Sequence, residues 1–185
     1  YIKLEGITCI PSKHYIVFGI SYAGNCSHCK ENKALLVKAS YTIKGDVFSV
    51  KSDFSLLVNF DITTIAKCNG IHSTIACNLS LSDVTYDSEN GNILILTKYC
   101  INGSSGGYLW ETKWLNTIGK IGNSLLPMKL NYPVDCATPY HFPGPPRGLA
   151  ILKKDTVIVV MDQCENCSCC HSTKFRYQII KYKNN

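Results

Sequence analysis

A serine inside a glycine-rich stretch is the first feature of this chain that reads as chemistry. Gly103-Ser104-Ser105-Gly106-Gly107 surrounds Ser105 with small residues. An acyl-transfer nucleophile needs such a turn, because small neighbours admit the substrate carbonyl and backbone N–H groups can point at the developing oxyanion. Upstream, Asn25-Cys26-Ser27-His28-Cys29 offers a histidine between small residues. Between the two lies Asp53, which leads into the apolar stretch Phe54–Val58. Histidine, aspartate and serine therefore occur in that chain order.

Cysteine is the second chemical signal. The chain carries 11. Cys26 and Cys29 form one C-x-x-C pair, and Cys164, Cys167, Cys169 and Cys170 crowd a second segment that ends in His171. Two intervening residues let both thiolates face one metal ion, so zinc is the cofactor these cysteines suit. The two pairs stand much farther apart than ordinary zinc pairs, which favours disulfides in an oxidising compartment. Four sequons point to the same compartment: Asn25-Cys26-Ser27, Asn78-Leu79-Ser80, Asn102-Gly103-Ser104 and Asn166-Cys167-Ser168.

The three segments around His28, Asp53 and Ser105 resemble the histidine, aspartate and serine motifs of chymotrypsin-like serine proteases. Their spacing is similar to that of the compact viral members. Cys136-Ala137-Thr138-Pro139, followed by Pro143-Gly144, also looks like the segment that closes the specificity pocket of trypsin-like enzymes. The resemblance implies Ser105 as nucleophile, His28 as general base and Asp53 as the group holding the imidazole tautomer. It further implies an oxyanion hole from the N–H groups of Gly103 and Ser105. The residues alone also permit a simpler account. Asn102–Gly107 is then an exposed hairpin loop, Asp53 caps a strand, and His28 lies beyond hydrogen-bond reach of Ser105. The polar, sequon-bearing approach to His28 favours this account.

The elements that must carry these residues read as strands. His14–Ser21, Ala34–Ser40, Tyr41–Val50, Phe54–Phe60 and Ile71–Cys77 are β-rich runs, with Lys44-Gly45-Asp46 as a turn. Asn90-Gly91 before Asn92–Thr97 is a hairpin signal, since both residues tolerate positive φ. Gly148–Leu152 and Thr156–Met161 flank Lys153-Lys154-Asp155 as a second hairpin. Phe175, Tyr177 and Ile179 alternate with polar residues, the pattern of a half-buried strand. Helix signals are sparse, with short helices allowed near Asn32–Val37 and Trp114–Ile118; less than about 15% helix is expected against the usual base rate. The reading is an all-β sandwich or barrel of short antiparallel strands. Leu125–Arg147 holds six prolines and reads as an irregular crossing. It divides a single 185-residue domain into a main β unit, 1–125, and a C-terminal hairpin unit, 126–185.

Composition narrows the function. Hydrophobic residues make up 45% and charged residues 17%, so a packed core is expected. No apolar run is long enough for a membrane helix, so a membrane enters only through parts outside this chain. The net charge of +6 is scattered rather than gathered into a stripe, which argues against nucleic acid. The leading expectation is a cysteine-rich β ectodomain of a secreted or surface glycoprotein, similar in composition to viral surface glycoproteins. It needs no cofactor and binds a protein or glycan receptor, outside the cell or on a virion or cell surface. Its loops would present Asn102, Tyr108, Trp110, Trp114, Tyr140 and His141. The compact serine protease is the alternative. A zinc-stabilised interaction domain is the third reading, with the infected-cell cytoplasm as its compartment.

Overall fold

A computed structural model describes residues 2–23, 32–113, 126–127, 141–162 and 175–182. Among the described residues the protein is mostly β, with 70% strand and 11% helix, arranged in several antiparallel sheets, one of them curled into a half-barrel. That is the all-β class expected from the sequence.

The first sheet comprises β1 (Ile2–Ile10), β2 (Tyr15–Ala23), β3 (Asn32–Lys44), β4 (Val47–Val50) and β5 (Ser55–Asp61). β2 lies between β1 and β3, and β3 pairs with β4 through its C-terminal end and with β5 through its N-terminal part. β-Branched and aromatic residues favour the extended backbone in β2 and in the second half of β3. Asn32–Val37, where a short helix was allowed, is strand because β2 and β5 pair with it from both sides. Gly45, with φ of 58°, turns β3 into β4.

Two short helices follow, α1 (Ile62–Cys68) and α2 (Ser73–Ala76). The sequence did not announce α1, and α2 replaces the strand expected over Ile71–Cys77. Both start on side-chain caps. The Asp61 carboxylate accepts from Thr64 N at 3.0 Å, and the His72 ring accepts from Thr74 N at 3.4 Å. Ile62, Ala66 and Ala76 point into the main core.

The second sheet is built from β6 (Ser80–Asp87), β7 (Asn92–Ile101), β8 (Ser104–Lys113), the short β9 (Leu126–Pro127) and the short β10 (His141–Phe142). β10, β8, β7 and β6 run side by side in that order, and β9 also pairs with β8. The β6–β7 connection is wider than the two-residue turn its Asn-Gly suggests. Asp87 pairs with Asn92, and only Gly91 takes positive φ. Asp87 explains the width, because its carboxylate accepts from the backbone N–H of Glu89 and from Asn90 Nδ2, at 3.1 and 2.6 Å.

The third sheet, β11 (Pro146–Lys153), β12 (Thr156–Asp162) and β13 (Phe175–Lys181), confirms the expected C-terminal hairpin. Its β13 is inverted relative to the sequence reading. Ile180 and the following Tyr182 are buried, whereas Phe175, Tyr177 and Ile179 face outward. A hydrogen bond supports this register: the buried Tyr182 hydroxyl donates to Asp87 Oδ2 at 2.6 Å, a partner the opposite register would forfeit.

Sheet 2 is the middle layer. Ile93, Ile95 and Trp110 pack with sheet 1 and the helices, around Val17, Leu36 and Phe60. Leu94, Leu96 and Leu109 pack with Phe142 and with Leu149, Val157 and Val159 of sheet 3. This is why β7 reads as an unbroken apolar run: both of its faces are covered. Asp83 ties β6 to sheet 3 by accepting from Leu149 N at 2.7 Å. Its other oxygen takes Val84 N at 2.8 Å. Burial nevertheless raises its carboxyl above the ordinary value, against the pull of those donors.

Candidate functional site

Two places combine unusual composition with a defined geometry: the glycine-rich hairpin of sheet 2 and the outward face of sheet 1.

At the hairpin, the turn itself is only Asn102-Gly103, both left-handed at φ of 48° and 81°. Asn-Gly closes β7 onto β8 because these residues accept that backbone best. Ser104 and Ser105 are already strand residues, paired with Ile101 and Cys100. Ser105 is half-buried, and the exposed loop expected over Asn102–Gly107 shrinks to its first three residues. Gly106 and Gly107 are buried for a packing reason. A Cβ on Gly106 would strike His141 Nε2 and come within 2.7 Å of the Phe142 carbonyl. One on Gly107 would strike the Thr97 carbonyl and Pro146. The glycines let β10 and the start of β11 lie close on β8; they do not open space for a substrate.

The group that lands there is a histidine. His141 Nε2 lies 2.7 Å from the Tyr99 hydroxyl, and its ring sits 5.3 Å from that of Tyr108. Ser104 also hydrogen-bonds to Tyr99. His141 is exposed as a residue, but the partial burial of its ring among these aromatics pushes the imidazole below its ordinary value, and burial pushes the Tyr108 phenol up to about 12. At neutral pH the cluster is therefore a neutral imidazole beside two protonated phenols. It anchors a short edge strand.

The three residues of the protease resemblance fall as follows. Asp53 is exposed at the break between β4 and β5. Both of its oxygens are taken by Ser40, from the backbone N at 2.9 Å and from Oγ at 2.6 Å. Those bonds hold its carboxyl below the ordinary value, the side-chain bond first. Asp53 thus clasps β3 of sheet 1, while Ser105 belongs to sheet 2. His28 lies outside the described residues, as do Cys26, Cys29 and Asn25.

Of the residues expected in binding loops, Asn102 is exposed at its turn and His141 is exposed in β10. Tyr108 and Trp110 are strand residues of β8, buried to 7% and 1% exposure. Trp110 Nε1 donates to Thr97 Oγ1 at 2.8 Å, a bond that satisfies an indole inside the core. These two aromatics give no stacking platform, because both faces of the middle sheet are covered. Trp114 and Tyr140 lie outside the described residues. So do Asn166, Cys164, Cys167, Cys169 and Cys170. The sequon residues Asn78 and Asn102 are both exposed. Cys9 and Cys68 are exposed free thiols, and Cys100 is disulfide-bonded. Among the described residues no group of three or more His, Cys, Asp or Glu side chains is placed to hold a metal ion.

The second place was missed by the sequence reading. Sheet 1 turns one face to the core and the other to solvent, and the outward face is apolar. Register and alternation set Ile7, Phe18, Val37 and Leu56 in one row across four strands. Leu4, Ile20 and Leu35 form the row on one side, and Cys9, Ile16 and Ala39 the row on the other. Tyr41–Val50 and Ile43–Phe48 extend it onto the β3–β4 hairpin. Aromatic contacts knit it together, with Tyr41 to Phe48 at 5.0 Å and Phe18 to Phe54 at 5.8 Å. Ile16, Ala39 and Tyr41 form a small buried cluster there. Around it Leu4, Ile7, Ile43, Phe54 and Leu56 are each more than half exposed. The missed signal was apolar residues at consecutive rather than alternate positions, as in Ile16-Val17-Phe18 and Ala34–Val37, in a sheet that needs only one buried face. No family model, no curated protein sequence and no solved structure matches the chain.

Proposed function

We propose that this protein is a protein-docking module, a cysteine-rich β scaffold of a secreted or surface glycoprotein that engages its partner through the outward face of sheet 1. The observation that carries the reading is the exposure of that face. Monomeric proteins seldom expose contiguous apolar patches beyond a few hundred Å² unless the patch binds something. The row Ile7–Phe18–Val37–Leu56 has no polar member, and every strand beneath it is held in register by the sheet. An apolar face of this kind suits a protein surface better than a glycan, which needs hydrogen-bonding groups beside its stacking rings. The exposed sequon residues and the disulfide at Cys100 support the oxidising compartment.

The test is site-specific photo-crosslinking in cells that express the chain. A benzophenone side chain at Leu56 is compared with one at Thr74, an exposed polar position in α2. Protein adducts from position 56 alone are expected. No adducts from 56, or equal adducts from both positions, would end the reading.

A further inference from the structure

The occupant of the outward face follows from its charge, shape and area. We propose that sheet 1 packs face to face against sheet 1 of a second copy of this chain, giving a two-fold homodimer. The inference rests on the docking reading above and names its partner.

Charge is the first argument. Two copies that each carry +6 repel in most orientations. The outward positions from Leu4–Ile20–Leu35 to Ile43–Phe48 include no charged residue. This face can therefore meet its own copy without opposing like charges at the centre. It offers an acidic or basic partner nothing to pair with.

Shape is the second. An aligned pair of twisted sheets packs well through interdigitated apolar side chains. A two-fold axis lying in the interface and parallel to the strands places Leu56 at one side against the β1 side of the copy, so one row meets its own reverse. Such self-complementarity is what an isologous contact requires.

Area is the third. Seven large apolar residues on this face are between 40% and 63% exposed. Taking roughly 150–200 Å² for a bare residue of this size, they present on the order of 700 Å². That is close to the roughly 800 Å² per partner that a standard stable interface buries. Among the described residues, the outward face of sheet 3 holds only Leu152, Phe175, Tyr177 and Ile179 at comparable exposure, and falls short of that area.

The experiment is sedimentation velocity on the purified chain, up to about 50 µM, where a micromolar affinity populates the dimer. A species of twice 20.5 kDa is expected. Leu56→Asp and Ile7→Asp should each return it to monomer, with circular dichroism unchanged because both positions are exposed. Tyr177→Asp, on sheet 3, should leave the dimer intact. Raising salt from about 0.05 to 0.5 M should hold or tighten the dimer, since it screens only repulsion. A second readout needs no variant. The rate of maleimide labelling at Cys9, which faces outward on β1, should fall as protein concentration rises, while the rate at Cys68 in α1 stays constant.

A monomer at every concentration overturns the proposal. So does a dimer indifferent to Leu56→Asp and Ile7→Asp, a dimer dispersed by salt, or labelling of Cys9 that ignores concentration. If the purified chain is monomeric while position 56 still crosslinks another protein in cells, only the self-association fails. If position 56 also crosslinks nothing, the docking reading fails with it.

Discussion

Sheets 1 and 2 are built from the same kind of sequence and end in different environments. β3 carries Ala34-Leu35-Leu36-Val37, and β7 carries Ile93-Leu94-Ile95-Leu96. Each strand is apolar on both faces. In β7 all four residues are 0% exposed, because sheet 1 covers one face and sheet 3 the other. In β3 only Ala34 and Leu36 reach that state, and Leu35 and Val37 remain partly open. The chain supplies a third layer for sheet 2 and none, among the described residues, for sheet 1. A two-faced apolar strand thus states that both faces are to be covered, without stating that its own chain does the covering.

The sharpest way to break this comparison is truncation on the two sheets. Leu94→Ala should cost about 2–5 kcal/mol, the transfer energy of the side chain plus its cavity. Leu56→Ala, measured dilute enough to hold the chain monomeric, should cost less than about 0.5 kcal/mol, as for an exposed site. Urea unfolding of both variants gives the numbers. Equal losses would mean that the face of sheet 1 is covered within the monomer.

The attachment of the third layer can be loosened at two points. Gly106→Ala forces a Cβ into His141 and the Phe142 carbonyl. Such overpacking should cost about 1–3 kcal/mol and free β10 from β8, visible as faster amide exchange at Phe142. Asp83→Ala removes the acceptor for the N–H groups of Val84 and Leu149. A loss near 2 kcal/mol is expected, with faster exchange at Leu149 and not in β3. Equal acceleration in sheet 1 would show that the layers do not separate as described.

The smallest effect is pH dependence at β10. Burial lowers the folded-state pKa of His141 below its unfolded value, so the folded protein prefers the neutral ring. The associated stability is complete above the unfolded value of about 6.5 and is lost as pH falls through the lowered folded value. The unfolding midpoint should therefore drop between pH 7 and pH 5, and drop less in His141→Gln. An identical profile in the variant would remove His141 as the cause.

Local chemistry alone determined much of this protein. β-Branched runs fixed most strands, Asn102-Gly103 fixed a tight turn, and Lys153-Lys154-Asp155 fixed the hairpin of sheet 3, because these preferences reside in neighbouring residues. Long-range partners decided the rest. Ile71–Cys77 lacks the strand its composition suggests, because Ser73–Ala76 is capped by His72 and closes the end of a core formed elsewhere. Phe175, Tyr177 and Ile179 face outward, because Tyr182 has a buried partner in Asp87, 95 residues away. Gly106 and Gly107 make room for a strand lying across them, and the Asp53 carboxylate is held by Ser40, contacts that residue type alone does not announce. Side-chain type is written in the sequence. Which face meets a partner depends on the layer that arrives from distant chain, and for sheet 1 that layer is not among the described residues.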